Sequence, residues 1–172
     1  MIHRLLNKYG VNQLGYIVKD VEAASRAHAA LFGSGPFQVM DTPPAKSVLY
    51  RGKPIELATR VAYGQLGDLQ IELIQVLSED PNAYLESGRY GFHHVSIWVD
   101  DFDAAMADFA AAGCEPAMLM ESGAGMRIAF VDCRDLLGHY VECHAPIQGF
   151  WDSIKQKNLD WDGSEPYRPF GK

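Results

Sequence analysis

The chain has 172 residues, an apolar fraction of 48% and a formal net charge of −7. That length makes one domain or two half-sized units sharing a core. The acidic balance, with no Lys/Arg run, excludes an electrostatic footprint for nucleic acid or an anionic membrane. No stretch reaches the roughly 18 apolar residues of a membrane-spanning helix, and the opening Met1-Ile-His-Arg-Leu-Leu-Asn-Lys lacks the apolar core of a signal peptide. Cys114, Cys133 and Cys143 are odd in number with no CxxC spacing, and read as reduced thiols of a cytoplasmic protein.

Residues 12–18 alternate, Leu14, Tyr16 and Val18 against Gln13, Gly15 and Ile17, which is the period of a strand. Asp20 caps a helix running to about Leu31, closed by the breakers Gly33-Ser-Gly-Pro36. Strands follow near 37–41, 47–51, 55–64 and 68–77, separated by Pro43-Pro44, Gly52 and Gly67-Asp68. Residues 78–92 form a connection: Ser78-Glu-Asp-Pro-Asn opens a short helical turn, and Gly88 and Gly91 end it. The order then repeats, with a strand at 93–99, a helix at 102–112 and strands near 115–121, 126–132 and 139–145. The two long helices are expected to cover one face of the sheet, burying Val21, Ala24 and Leu31 in the first and Phe102, Ala105 and Phe109 in the second. The segment 147–172 has no counterpart in the first half. It reads as a helix and an aromatic, Pro-interrupted strap, packed outside the sheet or at a dimer contact, or with Trp161 or Tyr167 as a lid.

The repetition is visible in the residues. Gln13-Leu-Gly-Tyr-Ile-Val-Lys-Asp-Val-Glu-Ala-Ala24 aligns without a gap on His94-Val-Ser-Ile-Trp-Val-Asp-Asp-Phe-Asp-Ala-Ala105, at an offset of 94 − 13 = 81. Val18/Val99, Asp20/Asp101, Ala23/Ala104 and Ala24/Ala105 are identical. Each copy leads on to an apolar strand holding a carboxylate, Leu-Gln-Ile-Glu72-Leu-Ile and His-Tyr-Val-Glu142-Cys-His. A unit of this kind cannot bury its apolar face alone, so the two are expected to share a core.

Strand phase sorts the polar residues. Gln70, Glu72 and Ile74 share a face opposite Ile71 and Leu73; Tyr140, Glu142 and His144 oppose Val141 and Cys143. With the helices over Leu14/Tyr16/Val18 and Val95/Ile97/Val99, the other face carries Gln13, Glu72, His94 and Glu142 among large apolar side chains, as a ligand cavity would. Two carboxylates buried together cost several kcal/mol without a cation, and a divalent metal removes that cost. An imidazole, two carboxylates and an amide oxygen suit Zn2+, Mn2+, Co2+, Ni2+ or Fe2+, with positions left for water or substrate. Singly, a strand Glu is usually solvated and a lone His usually hydrogen-bonded; placement at matched repeat positions is what favours ligation. His93 should point to the opposite face from His94, and His28, His139 and His144 have no ligand-type counterpart in the repeat.

Over residues 11–146 the chain resembles the vicinal oxygen chelate superfamily, which includes glyoxalase I, methylmalonyl-CoA epimerase, extradiol dioxygenases and bleomycin-resistance proteins. The resemblance rests on Gln13-Leu-Gly-Tyr-Ile-Val-Lys-Asp, Leu69-Gln-Ile-Glu72-Leu-Ile, Gly91-Phe-His-His94-Val-Ser-Ile-Trp-Val-Asp-Asp and Gly138-His-Tyr-Val-Glu142. It implies an α+β fold of two tandem βαβββ modules, here 11–77 and 93–146, joined by 78–92 and followed by 147–172, whose mixed sheet cups a divalent metal. Carried over residue by residue, it gives Gln13, Glu72, His94 and Glu142 as ligands, with Glu72 and Glu142 as catalytic carboxylates. The implied activity is that of a metal-dependent isomerase, epimerase or glyoxalase-type lyase. Such an enzyme acts on a small carbonyl compound with vicinal oxygens, through an enolate, and works as a homodimer. The alternatives are a drug- or metabolite-binding protein of the bleomycin-resistance type and a metal-dependent dioxygenase. The chain lacks the Arg that glyoxalase I uses for glutathione carboxylates, has no basic cluster for CoA phosphates, and has one His too few for the dioxygenase set.

Overall fold

A computed structural model describes residues 5–171. Residues 1–4, part of the stretch read for a leader, and Lys172 lie outside the described residues. The chain runs α1 (Leu5–Tyr9), β1 (Gln13–Ile17), α2 (Val21–Phe32), β2 (Phe37–Asp41), β3 (Ser47–Tyr50), β4 (Lys53–Pro54), β5 (Thr59–Leu66), β6 (Leu69–Val76) and α3 (Ala83–Glu86). It continues with β7 (Gly91–Trp98), α4 (Phe102–Ala111), β8 (Pro116–Glu121), β9 (Arg127–Asp132), α5 (Arg134–Leu137), β10 (Tyr140–His144), α6 (Gln148–Leu159) and β11 (Tyr167–Pro169).

Among the described residues all strands belong to one mixed sheet in the order β11-β2-β5-β6-β1-β7-β10-β9-β8-β3-β4. In each half the leading strand lies parallel to the last one, β1 to β6 and β7 to β10, and the halves meet where β1 and β7 run antiparallel. The repeated aspartates are helix caps. Asp20, in extended backbone, accepts from the backbone N–H groups of Glu22 and Ala23, and Asp101 accepts from that of Ala104. Each satisfies donors that the first helical turn leaves without a partner.

The alternation in the strands divides the apolar side chains between two faces. Ile71 and Leu73 pack beneath α2 with Val21, and Ile97, Val141 and Cys143 pack beneath α4 with Ala105 and Phe109. The opposite face gathers Ile17, Val61, Ile74, Met118, Phe130 and Tyr140 into a third core. Leu31 does not join the α2 core as expected from sequence: it is 74% exposed. The buried stripe of α2 advances in fours through Val21, Ser25 and Ala29, and Leu31 falls on its flank.

Two segments break the internal symmetry. Residues 42–58 leave the first half as a ribbon, and β3 pairs antiparallel with β8 of the second. The ribbon turn is pinned by Arg51, which bonds Glu86 at 2.5 Å and Asp132 at 3.0 Å. Neither Trp161 nor Tyr167 lines the cavity beside Glu72 and Glu142, and Tyr167 packs with the core under α2. Strand β11 adds to the edge in parallel with β2, Tyr167 opposite Phe37. Helix α6 instead reaches the inner face, setting Phe150 edge-on to Tyr63 at 5.0 Å and Trp151 edge-on to Trp98 at 5.0 Å.

Candidate metal centre

Two-residue periodicity sends Glu72 from β6 and Glu142 from β10 onto the face that carries Ile17, Ile74 and Tyr140. His94, fully buried on β7, sits between them: its Nε2 is 3.4 Å from Glu72 Oε2 and 3.6 Å from Glu142 Oε2. Within this trio one donor atom from each residue lies within 4.8 Å of the others. Metal–ligand bonds of about 2.1 Å at right or tetrahedral angles would set neighbouring donors roughly 3.0–3.4 Å apart, so the trio could hold a metal ion.

The two buried carboxylates hold positive charge on the imidazole between them. Burial works to lower the His94 pKa, but bonding to Glu142 and Glu72 and their charge reverse this and raise it to about 9. For Glu142 burial works upward, and His94 overcomes it, holding the carboxyl at about 2. In both cases the interaction with opposite charge outweighs desolvation. His94 Nε2 sits at ion-pair distance from both carboxylates without a well-formed hydrogen bond to either, so a metal ion could replace its proton there.

Space for the His94 ring comes from Gly15. In the β1–β7 register Gly15 stands opposite His94 and beside Glu72, and a Cβ built there would lie 1.9 Å from His94 Cε1 and 2.3 Å from Nε2. Gln13 stands two residues away, opposite Ser96, on the same face. Its Nε2 donates to Gln70 Oε1 at 2.8 Å, and its Oε1 is buried with no partner. Gln13 is therefore held by a neighbour with its acceptor oxygen uncommitted. Glu72, His94 and Glu142 could hold a divalent ion, and the uncommitted Gln13 oxygen faces the same side of the sheet.

His93 departs from the sequence expectation. Gly15 pairs with His94 and Tyr16 with Phe92, so a β-bulge leaves His93 unpaired between them. One extra residue reverses the phase of a strand, and His93 turns to the same side as His94. His93 Nδ1 lies 3.0 Å from His94 Nδ1, and its ring stacks on Tyr140 at 4.7 Å. Burial, aided by neighbouring His94, pushes the His93 pKa down to about 3. His144 also belongs to this face, with its Nε2 3.3 Å from Ser96 Oγ. Alternation placed Gly15 and His144 on the face of the trio, but nothing local in the sequence marked the close approach of Gly15 to His94 or the turn of His93.

Above the carboxylates is a cavity of about 90 Å3, lined by Val61, Tyr63, Tyr84, Met120 and Ile128 and roofed by Pro43, Ala45 and Leu57 of the ribbon. Burial first, and then the charges of Glu72 and Glu142, hold the Tyr63 and Tyr84 hydroxyls well above the usual phenol range, so both stay protonated. The cavity lining also includes Thr42 and Thr59, so hydroxyls are interspersed among the apolar walls, and the carboxylates of Glu72 and Glu142 border it, where they can move a proton.

The model of the Glyoxalase/Bleomycin resistance protein/Dioxygenase superfamily matches residues 12–130, and the chain belongs to that superfamily, the vicinal oxygen chelate proteins. None of the curated proteins matches it. Solved structures similar to it include a hypothetical protein from Bacillus halodurans, with 18% identity and TM-score 0.55 over 80% of this chain and 94% of that one. Methylmalonyl-CoA epimerase from Mycobacterium tuberculosis is similar at 19% identity and TM-score 0.54, over 82% of this chain and 90% of that one. A Streptomyces coelicolor methylmalonyl-CoA epimerase in complex with 2-nitronate-propionyl-CoA is similar at 22% identity and TM-score 0.54, over 80% and 94%. No helix among the described residues is long and apolar enough to cross a membrane.

Proposed function

We propose that this chain is a metal-dependent isomerase, epimerase or glyoxalase-type lyase acting on a small carbonyl compound with two adjacent oxygens. The observation that carries the reading is the buried Glu72–His94–Glu142 trio, whose two carboxylates border a small cavity. Gln13, Glu72, His94 and Glu142 would hold the ion, Gln13 through the amide oxygen that now lacks a partner. When bound, a divalent ion polarises two neighbouring substrate oxygens and stabilises the charge left by proton removal. Glu72 hangs from the first half and Glu142 from the second, so the two reach a flat substrate carbon from different sides. Each carboxylate would be a ligand at rest and a proton carrier once substrate displaces it, one taking the α-proton as general base and the other returning one as general acid. The division at 78–92 is part of this proposal, since each half brings one proton carrier. The walls formed by Val61, Met120 and Ile128 exclude water from the reacting carbon, and protonated Tyr63 and Tyr84 offer hydroxyl donors beside it.

A non-catalytic binder has no use for two carboxylates buried around an imidazole. Nor does the trio supply two histidines for a dioxygenase, because both His93 nitrogens are engaged, Nε2 with the Ala83 carbonyl and Nδ1 with His94. The free, buried cysteines support a reducing, cytoplasmic setting. The proposed assembly is a homodimer, supported by exposed Leu31, Phe32, Leu136 and Leu137 and, on the C-terminal segment, Leu159 and Phe170. The reading is tested by elemental analysis of purified protein, followed by NMR of α-proton exchange in D2O across small α-substituted carbonyl compounds. About one divalent ion per chain and metal-dependent exchange are expected. Failure to retain any of the candidate ions would overturn the proposal.

A further inference from the structure

We propose that His93 is a positioning residue that fixes the tautomer and ring orientation of His94, delivering an unprotonated Nε2 to the metal centre. The inference rests on the metal-centre reading above and extends it to a residue outside the donor set. His93 Nε2 lies 3.0 Å from the backbone oxygen of Ala83. A carbonyl only accepts, so Nε2 of His93 carries a hydrogen. A second hydrogen on His93 would create a cation packed between Tyr140, Tyr84 and Phe130 with no carboxylate bonded to it, and such burial is costly. Its Nδ1 is then an acceptor, and the hydrogen in the 3.0 Å contact between the two Nδ1 atoms belongs to His94. With Nδ1–H of His94 committed, the lone pair of the neutral ring falls on Nε2, the atom 3.4 and 3.6 Å from the two carboxylates. Ligating imidazoles are characteristically held in this way through their second nitrogen.

The relay has its own supports. Ala83 is fully buried at the start of α3, whose cap Asn82 accepts from the backbone N–H of Leu85 and donates to the backbone oxygen of Asp80. Tyr140, on which His93 stacks, donates to Glu86 at 2.6 Å, on the same short helix. The connection between the halves thus reaches the centre through one imidazole, and the β-bulge is what lets that imidazole enter the inner face.

Zn2+ titration of the full chain against a chelating indicator, together with 15N NMR of the histidine rings, tests this. In wild type, His93 should show a bare Nδ1 and a protonated Nε2, and zinc-loaded His94 a protonated Nδ1. His93→Phe keeps the stacked ring and removes the acceptor; zinc affinity should fall about 10–100-fold, with loss of the slow-exchanging His94 Nδ1–H signal. His93→Asn places an oxygen near the Nδ1 position and should recover most of both. Zinc affinity in His93→Phe within threefold of wild type, or a protonated His93 Nδ1 in wild type, would overturn the proposal. A wild-type protein that takes up no zinc or other divalent ion would refute the metal reading instead, while the His93 nitrogen shifts would still decide the relay.

Discussion

Gly15→Ala is the sharpest test of the centre, because it alters no donor atom. The added Cβ would stand 1.9 Å from His94 Cε1, whereas ordinary contacts begin near 3.4 Å, so ring and strand must part by at least 3.4 − 1.9 = 1.5 Å. Gly15 lies in extended β1 without a positive φ, so the conflict is one of space and not of backbone conformation. Metal sites tolerate about 0.2 Å in ligand distance, and the displacement is several times that. Losing the imidazole should weaken zinc binding by at least about 10²-fold, equivalent to roughly 2.7 kcal/mol. Overpacking should also destabilise the metal-free protein by about 1–3 kcal/mol. Competition with a chromophoric chelator measures the first quantity and urea unfolding the second. Gly123→Ala, where a Cβ meets nothing within 4 Å, serves as the control. If Gly15→Ala bound zinc as wild type does, His94 could not be a donor in the position found here.

Other outcomes follow from the same geometry. His94 is raised to about 9 and Glu142 lowered to about 2, so between those values an entering ion displaces the His94 proton and none from Glu142. Zinc affinity should therefore rise roughly tenfold per pH unit towards pH 9 and level off above it, with proton release visible by calorimetry in buffers of different ionisation enthalpy. Glu72→Gln and Glu142→Gln should each lower α-proton exchange on the order of 10²-fold with the far-ultraviolet circular dichroism unchanged, and in an epimerase each should impair one enantiomer more; full activity in both would exclude these groups as proton carriers. Gln13→Ala should weaken metal binding less than loss of His94 does, because a neutral amide oxygen is the poorest donor of the four; equal losses would contradict that order. Asp20→Ala removes a cap accepting two N–H groups, and should cost about 1 kcal/mol and lower Tm by roughly 2–4 °C in a thermal melt.

Strand phase and the repeat made the inner face legible from sequence. Placing Glu72, Glu142 and His94 together required only alternation, two matched copies and helices assigned to the other side. Asp20 and Asp101 were readable as caps for the same reason, since the signal lies within a few residues. His93 was misplaced because alternation has no memory of a bulge: one unpaired residue reverses phase, and the pairing that creates it lies in β1. The pairing of β3 with β8 and of β11 with β2 depends on which edge a distant segment finds, and three-residue β11 carries too short a pattern to show it. Leu31 was assigned inward on hydrophobicity when the angular stripe of α2 excluded it.

The sheet ends in the two-residue β4 on one side and the three-residue β11 on the other. Each of these borders contains a proline and a basic residue, Lys53 with Pro54 and Arg168 with Pro169, so neither offers a run of free backbone groups on which another chain could template itself. Without the ribbon, the Pro116–Glu121 strand would become the border, and without the tail, Phe37–Asp41 would. Both are longer and more apolar than the strands that screen them. Proteolytic loss of the last dozen residues would thus leave Glu72, His94 and Glu142 in the chain while exposing Phe37–Asp41 to intermolecular pairing, and so favour aggregation.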